Sequence, residues 1–343
     1  MKHIIRTLFL GLLAIGMVAC EDEKENTGAG VQTTGALVLN EGSYGVNNAS
    51  ISSLDTASGD IDNGWFQEAN GRGLGNNAQD MVLYQGKVYV TVTESNTLEA
   101  IDPATGHATQ KSMGTLKPRS IAAQDGKLYI SCYTPACVVR VDAATLAIED
   151  TCLLGAFHPE GIAIAQGKAF VASAYNDSYE YDNRLYVVDL ATFTTSSTVE
   201  VGVNPNKVER LSDSKLVVTW TGNYGDVPSG CAIVDAGSLT ATPVGHGLTK
   251  GSVYNGKIYG YDAPYGGTTS WVVIDANGNV EDFPFPVTVD NNAYGININP
   301  SNGDVYIMDA DYSAGGNVYC YRADGTLRFK CAAAMNPSKV VFL

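Results

Sequence analysis

A short apolar run that begins just after a turn residue recurs along this chain. The copies start at Gly35 (GALVL), Gly86 (GKVYV), Gly126 (GKLYI), Gly167 (GKAFV), Ser214 (SKLVV), Gly256 (GKIYG) and Gly303 (GDVYI). Runs of β-branched and aromatic residues that leave a tight turn are typical of hairpin strands. The copies are 51, 40, 41, 47, 42 and 47 residues apart, which is room for four short strands per repeat. The pattern predicts an all-β fold, a seven-bladed β-propeller over residues 35–343.

An aspartate ends a second strand in most of these repeats, at Asp55, Asp102, Asp142, Asp189, Asp235 and Asp275. Small or turn-forming residues follow each of them, and an Asp side chain can accept a hydrogen bond from its own backbone two residues on. The last repeat has Arg322 in this place, with the turn at Asp324-Gly325. We therefore interpret the regular acidic spacing as turn chemistry and not as a binding site.

The two ends of the chain are expected to meet in one blade. Every repeat except the first has a further short strand before its turn. The carboxy-terminal segment from Asn336 to Leu343 resembles the segment Asn204–Val208, which opens such a strand. We predict that the last strand completes the first blade and closes the ring, because closure removes the free edges of an open sheet.

Strand parity separates the connections into two faces. With strands A to D counted from the axis outwards, the A–B and C–D turns share one face, and the B–C loops share the other with the crossings between blades. The distance from the turn residue to the closing Asp varies over 20, 16, 16, 22, 21 and 19 residues. All of this variation falls in the B–C loops, and variable loops on a rigid scaffold are the usual place for binding residues.

Tyrosine and asparagine are prominent in the loops and crossings of that face. The chain has 19 Tyr against 9 Phe, and Tyr offers a flat apolar surface with a hydroxyl at its tip. This composition suits a large, mainly uncharged ligand with apolar faces and a rim of amides or hydroxyls; for several tyrosines the alternative is packing between blades. The predicted ligand-binding residues are Tyr44, Asn77, Arg119, Tyr133, His158, Tyr175, Tyr179, Asn206, Trp220, Tyr224, Tyr265, Tyr294 and Tyr312.

The amino terminus has the pattern of an export signal. Lys2 and Arg6 precede an apolar stretch over residues 8–19 that is short for a membrane span. Residues 17–20 resemble a bacterial lipobox, which predicts cleavage before Cys20 and lipidation of that residue; ordinary cleavage that leaves a free Cys20 is the alternative. Residues 20–34 form an acidic, flexible tether similar to the signal for the outer face of the outer membrane. Without residues 1–19 the formal net charge changes from −15 to −17, which disfavours nucleic acid and anionic membranes as partners.

Signals for catalysis are weak. The sequence contains no GxSxG elbow, no HExxH and no zinc-type Cys/His spacing. We therefore predict no catalytic residue, no metal and no cofactor. Six cysteines follow Cys20, an even number that permits 15 disulfide connectivities; a Cys137–Cys152 bridge and buried free thiols are the alternatives. They are Cys132, Cys137, Cys152, Cys231, Cys320 and Cys331.

From Gly35 to Leu343 the repeats look like those of the YncE-like seven-bladed propellers. The segment LVLNEGSYGVNNASISSLD at residues 37–55, behind a lipobox and acidic leader, resembles a Bacteroides group of surface lipoproteins that includes the BtuG-type cobalamin-binding proteins. This resemblance implies capture of cobalamin or a related corrinoid as a ligand, not as a catalytic cofactor. It further implies handover to a TonB-dependent outer-membrane transporter, without chemistry on the ligand. The resemblance does not indicate which residues of this sequence would contact the ligand.

Two other hypotheses use the same face. A metal-dependent lactonase or lyase would need Glu41 or Glu160, with Asn77 or Asn206, around an axial cation. A glycan-binding or protein-binding surface propeller would use the same tyrosines. Binding of single-stranded DNA, a further possibility for YncE-like propellers, is disfavoured by the acidic charge.

Overall fold

A computed structural model describes residues 35–155 and 157–343. Within these ranges the chain forms 28 strands and one short helix. In chain order they are β1 (Gly35–Asn40), β2 (Ser50–Asp55), β3 (Ile61–Asp62), α1 (Trp65–Asn70), β4 (Ala78–Tyr84), β5 (Lys87–Val92), β6 (Thr97–Ile101), β7 (Ala108–Ser112), β8 (Pro118–Gln124), β9 (Lys127–Cys132), β10 (Cys137–Asp142), β11 (Ile148–Leu153), β12 (Pro159–Ala165), β13 (Lys168–Tyr175), β14 (Tyr181–Asp189), β15 (Thr194–Glu200), β16 (Pro205–Arg210), β17 (Lys215–Trp220), β18 (Gly230–Asp235), β19 (Thr240–Val244), β20 (Lys250–Tyr254), β21 (Lys257–Asp262), β22 (Ser270–Asp275), β23 (Val280–Asp282), β24 (Asn292–Ile298), β25 (Val305–Ala310), β26 (Gly315–Tyr321), β27 (Leu327–Met335) and β28 (Pro337–Phe342).

The strands form seven antiparallel sheets of four, which confirms the predicted seven-bladed β-propeller. Blade 1 has the order β28-β1-β2-β3, and each later blade uses four consecutive strands, from β4–β7 in blade 2 to β24–β27 in blade 7. In blades 2 to 7 the innermost strand is the one before the repeated tight turn, and in blade 1 it is the carboxy-terminal strand β28. The B–C loops and the crossings between blades therefore share one face, here called the loop face. The opposite face carries the tight turns and is called the turn face.

The carboxy-terminal strand closes the ring as predicted. In the β1–β28 pair, Ala36 lies opposite Phe342 and Val38 opposite Val340. Val38 and Val340 are both buried, in a cluster that also contains side chains of blade 7. The two termini of the propeller are thus held together by strand pairing and by apolar packing against the neighbouring blade.

The repeated aspartates act in turns, as the spacing indicates. The Asp55 carboxylate accepts a hydrogen bond from the Ala57 N–H at 2.7 Å, and Asp275 accepts one from the Asn277 N–H at 2.8 Å. In the last repeat Asp324 accepts from the Thr326 N–H at 2.9 Å. These bonds satisfy backbone donors of the C–D turns. The acidic spacing is thereby accounted for on the turn face.

Apolar side chains from adjacent blades form the core. Leu37 and Ile51 of blade 1 pack with Val90 of blade 2, and α1 adds the buried Trp65 and Phe66 to the same cluster. Where neighbouring inner strands come closest, the residue is small: a Cβ on Gly161 would lie 2.7 Å from the Val208 backbone nitrogen. Close approach of this kind is what brings inner-strand side chains of adjacent blades together at the axis.

All six cysteines in the described residues have free thiols, the second of the two alternatives. Cys137 lies opposite Cys132 in the strand register, while Cys152 lies opposite Val138. The proposed export signal (residues 1–19), the lipidation site Cys20 and the tether (residues 20–34) lie outside the described residues and stay predictions. No helix in the described part of the chain is long and apolar enough to cross a membrane.

Disrupting ring closure should destabilise the whole propeller. Val340→Asp places a carboxylate in the apolar contact between β28 and blade 7, so we expect a loss on the order of 3–5 kcal/mol in the free energy of unfolding. Leu343→Asp, at the exposed end of the chain, should change it by only about 0.5 kcal/mol. Urea unfolding followed by far-ultraviolet circular dichroism measures both. Equal stability of the two variants would contradict closure by β28.

Candidate binding site at the propeller axis

A cavity of about 590 Å³ lies at the axis, bounded by residues of the inner strands and of the loop face. A narrower space of about 130 Å³ is lined by residues further along the inner strands, and we call it the axial channel. The cavity is lined by Glu41, Tyr44, Asn77, Gln79, Thr93, Glu94, Arg119, Tyr133, Glu160, Ala174, Tyr175, Asn204, Asn206, Lys207, Thr221, Tyr224, Lys250 and Tyr294.

One position of the repeat supplies much of this lining. Each inner strand opens with a triplet such as Pro118-Arg119-Ser120 or Pro205-Asn206-Lys207. In six of the seven blades the pairing with the next strand shifts by one residue at this triplet. A bulge re-aims the side chain at the extra residue. The cavity-lining residues at the middle of the triplets are Gln79, Arg119, Glu160, Asn206, Lys250 and Tyr294.

Arg119, Glu160 and Tyr133 form one fixed polar group. Arg119 Nε donates to Glu160 Oε2 at 2.7 Å, and the Tyr133 hydroxyl donates to the other carboxylate oxygen. The Glu160 side chain is only 7% exposed. Burial, followed by the Glu160 charge, raises the pKa of Tyr133. The phenol therefore stays protonated as a donor, and both oxygens of the carboxylate are occupied within the protein.

A second group joins Glu41, Tyr294 and Lys250. The Tyr294 hydroxyl donates to Glu41 Oε2 at 2.7 Å. Lys250 Nζ donates to the Tyr294 carbonyl at 2.6 Å and lies 4.0 Å from Glu41 Oε1. Burial lowers the pKa of Lys250 to about 8; Glu41 and Asp80 act in the opposite direction, while the cations Lys207 and Arg119 lower it further. The amine therefore changes charge close to neutral pH.

Tyrosines form an exposed rim around the cavity. Tyr175 and Tyr179 stack with ring centroids 5.9 Å apart, and Tyr265 meets Tyr224 edge-on at 6.3 Å. Large apolar side chains that remain exposed on a folded surface commonly mark a binding site. The rim tyrosines, each between 54% and 86% exposed, are Tyr44, Tyr179, Tyr224, Tyr265 and Tyr312.

His158 supports these aromatic residues from the side. Its ring stacks on Tyr133 at 4.5 Å and meets Tyr175 edge-on at 5.0 Å. Its Nε2 lies 3.1 Å from Asp177 Oδ1. The imidazole is thus held between two cavity tyrosines without lining the cavity, an arrangement that suits positioning better than direct contact.

The structure brings most of the predicted site residues together. Tyr44, Asn77, Arg119, Tyr133, Tyr175, Asn206, Tyr224 and Tyr294 line the cavity. Tyr179, Tyr265 and Tyr312 lie in the rim, and His158 lies beside Tyr133. Trp220 is placed differently: it packs against Gly202 and Gly230 of blade 5, where an added Cβ would lie 2.1 and 2.4 Å from its ring. Trp220 thus packs within its blade and is not among the residues that line the cavity, and ligand contact stays a prediction for all of the predicted residues.

The floor of the cavity is more charged than the sequence predicts, and of its six charged side chains only Arg119 is among the predicted ligand-binding residues. The expected ligand was mainly uncharged, but the lining includes three acidic and three basic side chains. The repeat contains a signal for part of this set, because Arg119, Glu160 and Lys207 stand in inner-strand triplets where the register shifts. The six charged lining residues are Glu41, Glu94, Arg119, Glu160, Lys207 and Lys250.

Carboxylates near the axis bear on the hypothesis of a metal-dependent enzyme. Within the residues that the structure describes, no group of three or more His, Cys, Asp or Glu is placed to hold a metal ion. Glu160 is hydrogen-bonded by Arg119 and Tyr133, and Glu41 is hydrogen-bonded by Tyr294. Both carboxylates thus accept hydrogen bonds from side chains of the same chain.

Comparison with known sequences places the first part of the chain in a described domain. Residues 34–119, a range that includes strands β1 to β7 and the first two residues of β8, match a domain of unknown function, DUF5074. Together with the seven blades, this match fits a YncE-like propeller family. No curated protein matches the sequence.

Solved structures share the architecture at low sequence identity. A quinonprotein alcohol dehydrogenase-like protein from Bacteroides thetaiotaomicron is 14% identical with a TM-score of 0.64, over 90% of this chain and 78% of its own. A putative 6-phosphogluconolactonase from Bacteroides uniformis is 13% identical with a TM-score of 0.62, over 91% and 100%. Virginiamycin B lyase from Staphylococcus aureus is 15% identical with a TM-score of 0.56, over 75% and 84%. At this level of identity the likeness shows the fold alone.

The Lys250 amine should titrate within the folded protein at a pH of about 8. Because the usual lysine pKa is 10.5, the unfolded chain holds more protons between these two values. The free energy of unfolding should therefore gain a contribution as the pH rises from about 8 to 10.5, and Lys250→Met should lose that contribution. Nuclear magnetic resonance of ¹³C-methylated lysines reports the titration, and a Lys250 pKa near 10.5 would contradict the prediction.

Removing the charge of Glu160 should expose the cost of an unpaired Arg119. We expect Glu160→Gln to lower the free energy of unfolding by about 1–3 kcal/mol, since Arg119 is largely buried but keeps some contact with solvent. The matched control is Glu281→Gln, which breaks an exposed pair with Lys257 and should cost less than about 1 kcal/mol. Urea denaturation of both variants is the measurement. A Glu160→Gln protein as stable as the control would show that the pair contributes little.

Proposed function

We propose that this protein captures a large amphipathic ligand at the cell surface and passes it on chemically unchanged, and that the ligand is cobalamin or a related corrinoid. The observation that carries the proposal is the exposed tyrosine rim around a polar axial cavity. Tyr224 and Tyr265 present apolar ring surface, while Asn77 and Asn206 supply amides inside. A bulky molecule with apolar faces and an amide-bearing edge matches both parts.

The scaffold favours tight binding. The rim tyrosines stand on loops of a closed propeller, and several contact a tyrosine of the cavity wall: Tyr179 stacks on Tyr175, and Tyr312 meets Tyr294 edge-on. Side chains that are held in place before binding lose less conformational freedom on binding. Cobalamin, a corrin disc with neutral amides around its edge, offers both apolar surface and hydrogen-bonding groups to such a rim.

Delivery to a membrane transporter is the second part of the proposal. The lipobox at Cys20 and the acidic segment after it support attachment of the protein to the outer face of the outer membrane. The tether would let the loop face reach a TonB-dependent transporter, which would take the ligand inward. The lipid is then the membrane contact, since an acidic surface is repelled by anionic headgroups.

We favour binding over the metal-dependent enzyme because of the floor of the cavity. Glu41 and Glu160 are the carboxylates that such an enzyme would need, and tyrosine and arginine donors hold both of them. A glycan would meet the same rim, because sugar rings also lie on tyrosine faces. Glycan arrays alongside the corrinoid test distinguish these two ligand classes.

Binding of cyanocobalamin is directly visible. We expect the red colour to co-elute with purified protein on a desalting column after the two are mixed. Tyr175→Ala and Tyr224→Ala should each weaken binding by about 1–4 kcal/mol where the residue is a true hot spot. Leu327→Ala, an exposed apolar side chain after a turn of the turn face, should leave binding unchanged. A colourless protein peak at micromolar concentration would reject a corrinoid as the ligand.

A further inference from the structure

Three cationic side chains from different blades lie along the wall of the axial cavity: Arg119 of blade 3, Lys207 of blade 5 and Lys250 of blade 6. Only Arg119 has a carboxylate in direct contact, Glu160 at 2.7 Å. Lys250 is 4.0 Å from Glu41, and Lys207 has no carboxylate within 4 Å among the described residues. Of these two lysines on adjacent blades, Lys207 thus has a charge without a contacting carboxylate, and Lys250 has only a long ion pair.

Three acidic groups near these two lysines have partners elsewhere in the protein. Glu94 pairs with Lys117 at 3.0 Å, and Asp80 pairs with Lys339 at 2.6 Å. Glu41 accepts its short hydrogen bond from Tyr294. Glu209 lines the axial channel, which Lys207 also lines, and burial raises the pKa of its carboxyl and so favours the neutral form. Among the described residues, Lys207 therefore has no acidic group in contact, and Lys250 has only the 4.0 Å ion pair with Glu41.

Unused hydrogen-bond donors coincide with this charge. Asn206 Oδ1 accepts from the Thr219 hydroxyl at 2.6 Å, which leaves the Nδ2 group to donate, and that group has no partner in the described residues. Lys207 Nζ likewise has no hydrogen-bond partner there. Lys250 Nζ uses one of its donors on the Tyr294 carbonyl at 2.6 Å. Three side chains from β16 and β20 therefore offer free N–H groups to one part of the cavity.

We propose that Asn206, Lys207 and Lys250 form an oxyanion subsite that takes a phosphoryl or carboxylate group of the captured ligand. Ammonium and amide donors bind anionic oxygen through charge-assisted hydrogen bonds, which strengthen in a partly buried site. The inference rests on the proposed function in one respect, that the apolar body of the same ligand lies against the tyrosine rim. The bound ligand then has a defined orientation, with its anionic group deepest in the cavity and its apolar body at the rim.

Inorganic phosphate tests the subsite without any assumption about the rest of the ligand. Calorimetric titration with sodium phosphate, at a constant ionic strength set with sodium chloride, should show binding that weakens on the order of tenfold in Lys207→Gln. Lys87→Gln, at an exposed turn on the turn face, is the control and should match the unaltered protein. A parallel titration with sodium acetate shows whether the subsite prefers phosphoryl or carboxylate oxygen. Equal phosphate affinity in Lys207→Gln and the unaltered protein, or no phosphate binding at all, would overturn the subsite.

The pH dependence of phosphate binding supplies a readout that a purely structural lysine would not affect. The groups around the Lys250 amine are Glu41, Asp80, Lys207, Arg119 and Tyr294. Since the amine loses its proton above a pH of about 8, phosphate affinity should fall as the pH rises through that value. Lys250→Gln should bind more weakly at pH 7 and lack this fall. An identical pH profile in Lys250→Gln would remove Lys250 from the subsite.

A pair of corrinoids separates this inference from the proposed function. Cyanocobalamin carries a phosphodiester, and dicyanocobinamide has the corrin without it. Lys207→Gln should weaken cyanocobalamin binding about tenfold more than dicyanocobinamide binding. Corrinoid binding that Lys207→Gln leaves intact would reject the subsite and keep the proposed function. Lys207-dependent phosphate binding without any corrinoid binding would keep the subsite and reject the corrinoid.

Discussion

The pairing of β28 with β1 is the interaction on which the rest of the molecule depends. Seven sheets arranged around an axis have a stable inner wall only if the last sheet packs against the first. Here one blade is assembled from both ends of the described chain, with Val38 and Val340 opposed inside it. Opening this pair would expose a strand edge and the apolar contact with blade 7. It would also separate Lys339 from Asp80, a 2.6 Å ion pair between the closing strand and blade 2.

A closed ring makes one position of the repeat equivalent in every blade, and this equivalence builds the site. At the start of six of the seven inner strands the register shifts, and a shift of this kind re-aims the middle residue of the triplet, as at Asn206 and Tyr294. The scaffold is nearly symmetric at this level, but the side chains are not. Arg119 and Glu160 neutralise each other, Tyr294 binds Glu41, and Lys250 lies over the Tyr294 ring at 4.2 Å. Because the side chains differ between blades, the hydrogen-bond donors Asn206, Lys207 and Lys250 are grouped on one side of the cavity.

Rim and floor have different physical roles. The exposed tyrosines supply apolar area, which is favourable to bury and largely insensitive to salt. The lysines on the floor supply charge in a partly buried place, where attraction to an anionic group is less screened than at the surface. An acidic protein with formal net charge −15 repels anions at long range. A basic subsite therefore has to lie inside the cavity, where local contacts decide the interaction.

The sequence by itself determined the architecture, because a propeller is a repetition of one local pattern. Turn residues, alternating strands and the Asp turns recur, and the terminal segment matches an inner strand, so blade number, closure and the loop face followed from spacing. Only the tertiary structure decided which loop residues surround the cavity. Trp220 and Tyr224 are four residues apart, yet close approach by Gly202 and Gly230 fixes Trp220 in blade 5 while Tyr224 lines the cavity. The charged floor likewise arises from contacts between blades, as in Arg119 with Glu160, 41 residues apart. Local patterns encode strands and turns, whereas side-chain partners depend on which blades the closed ring brings together.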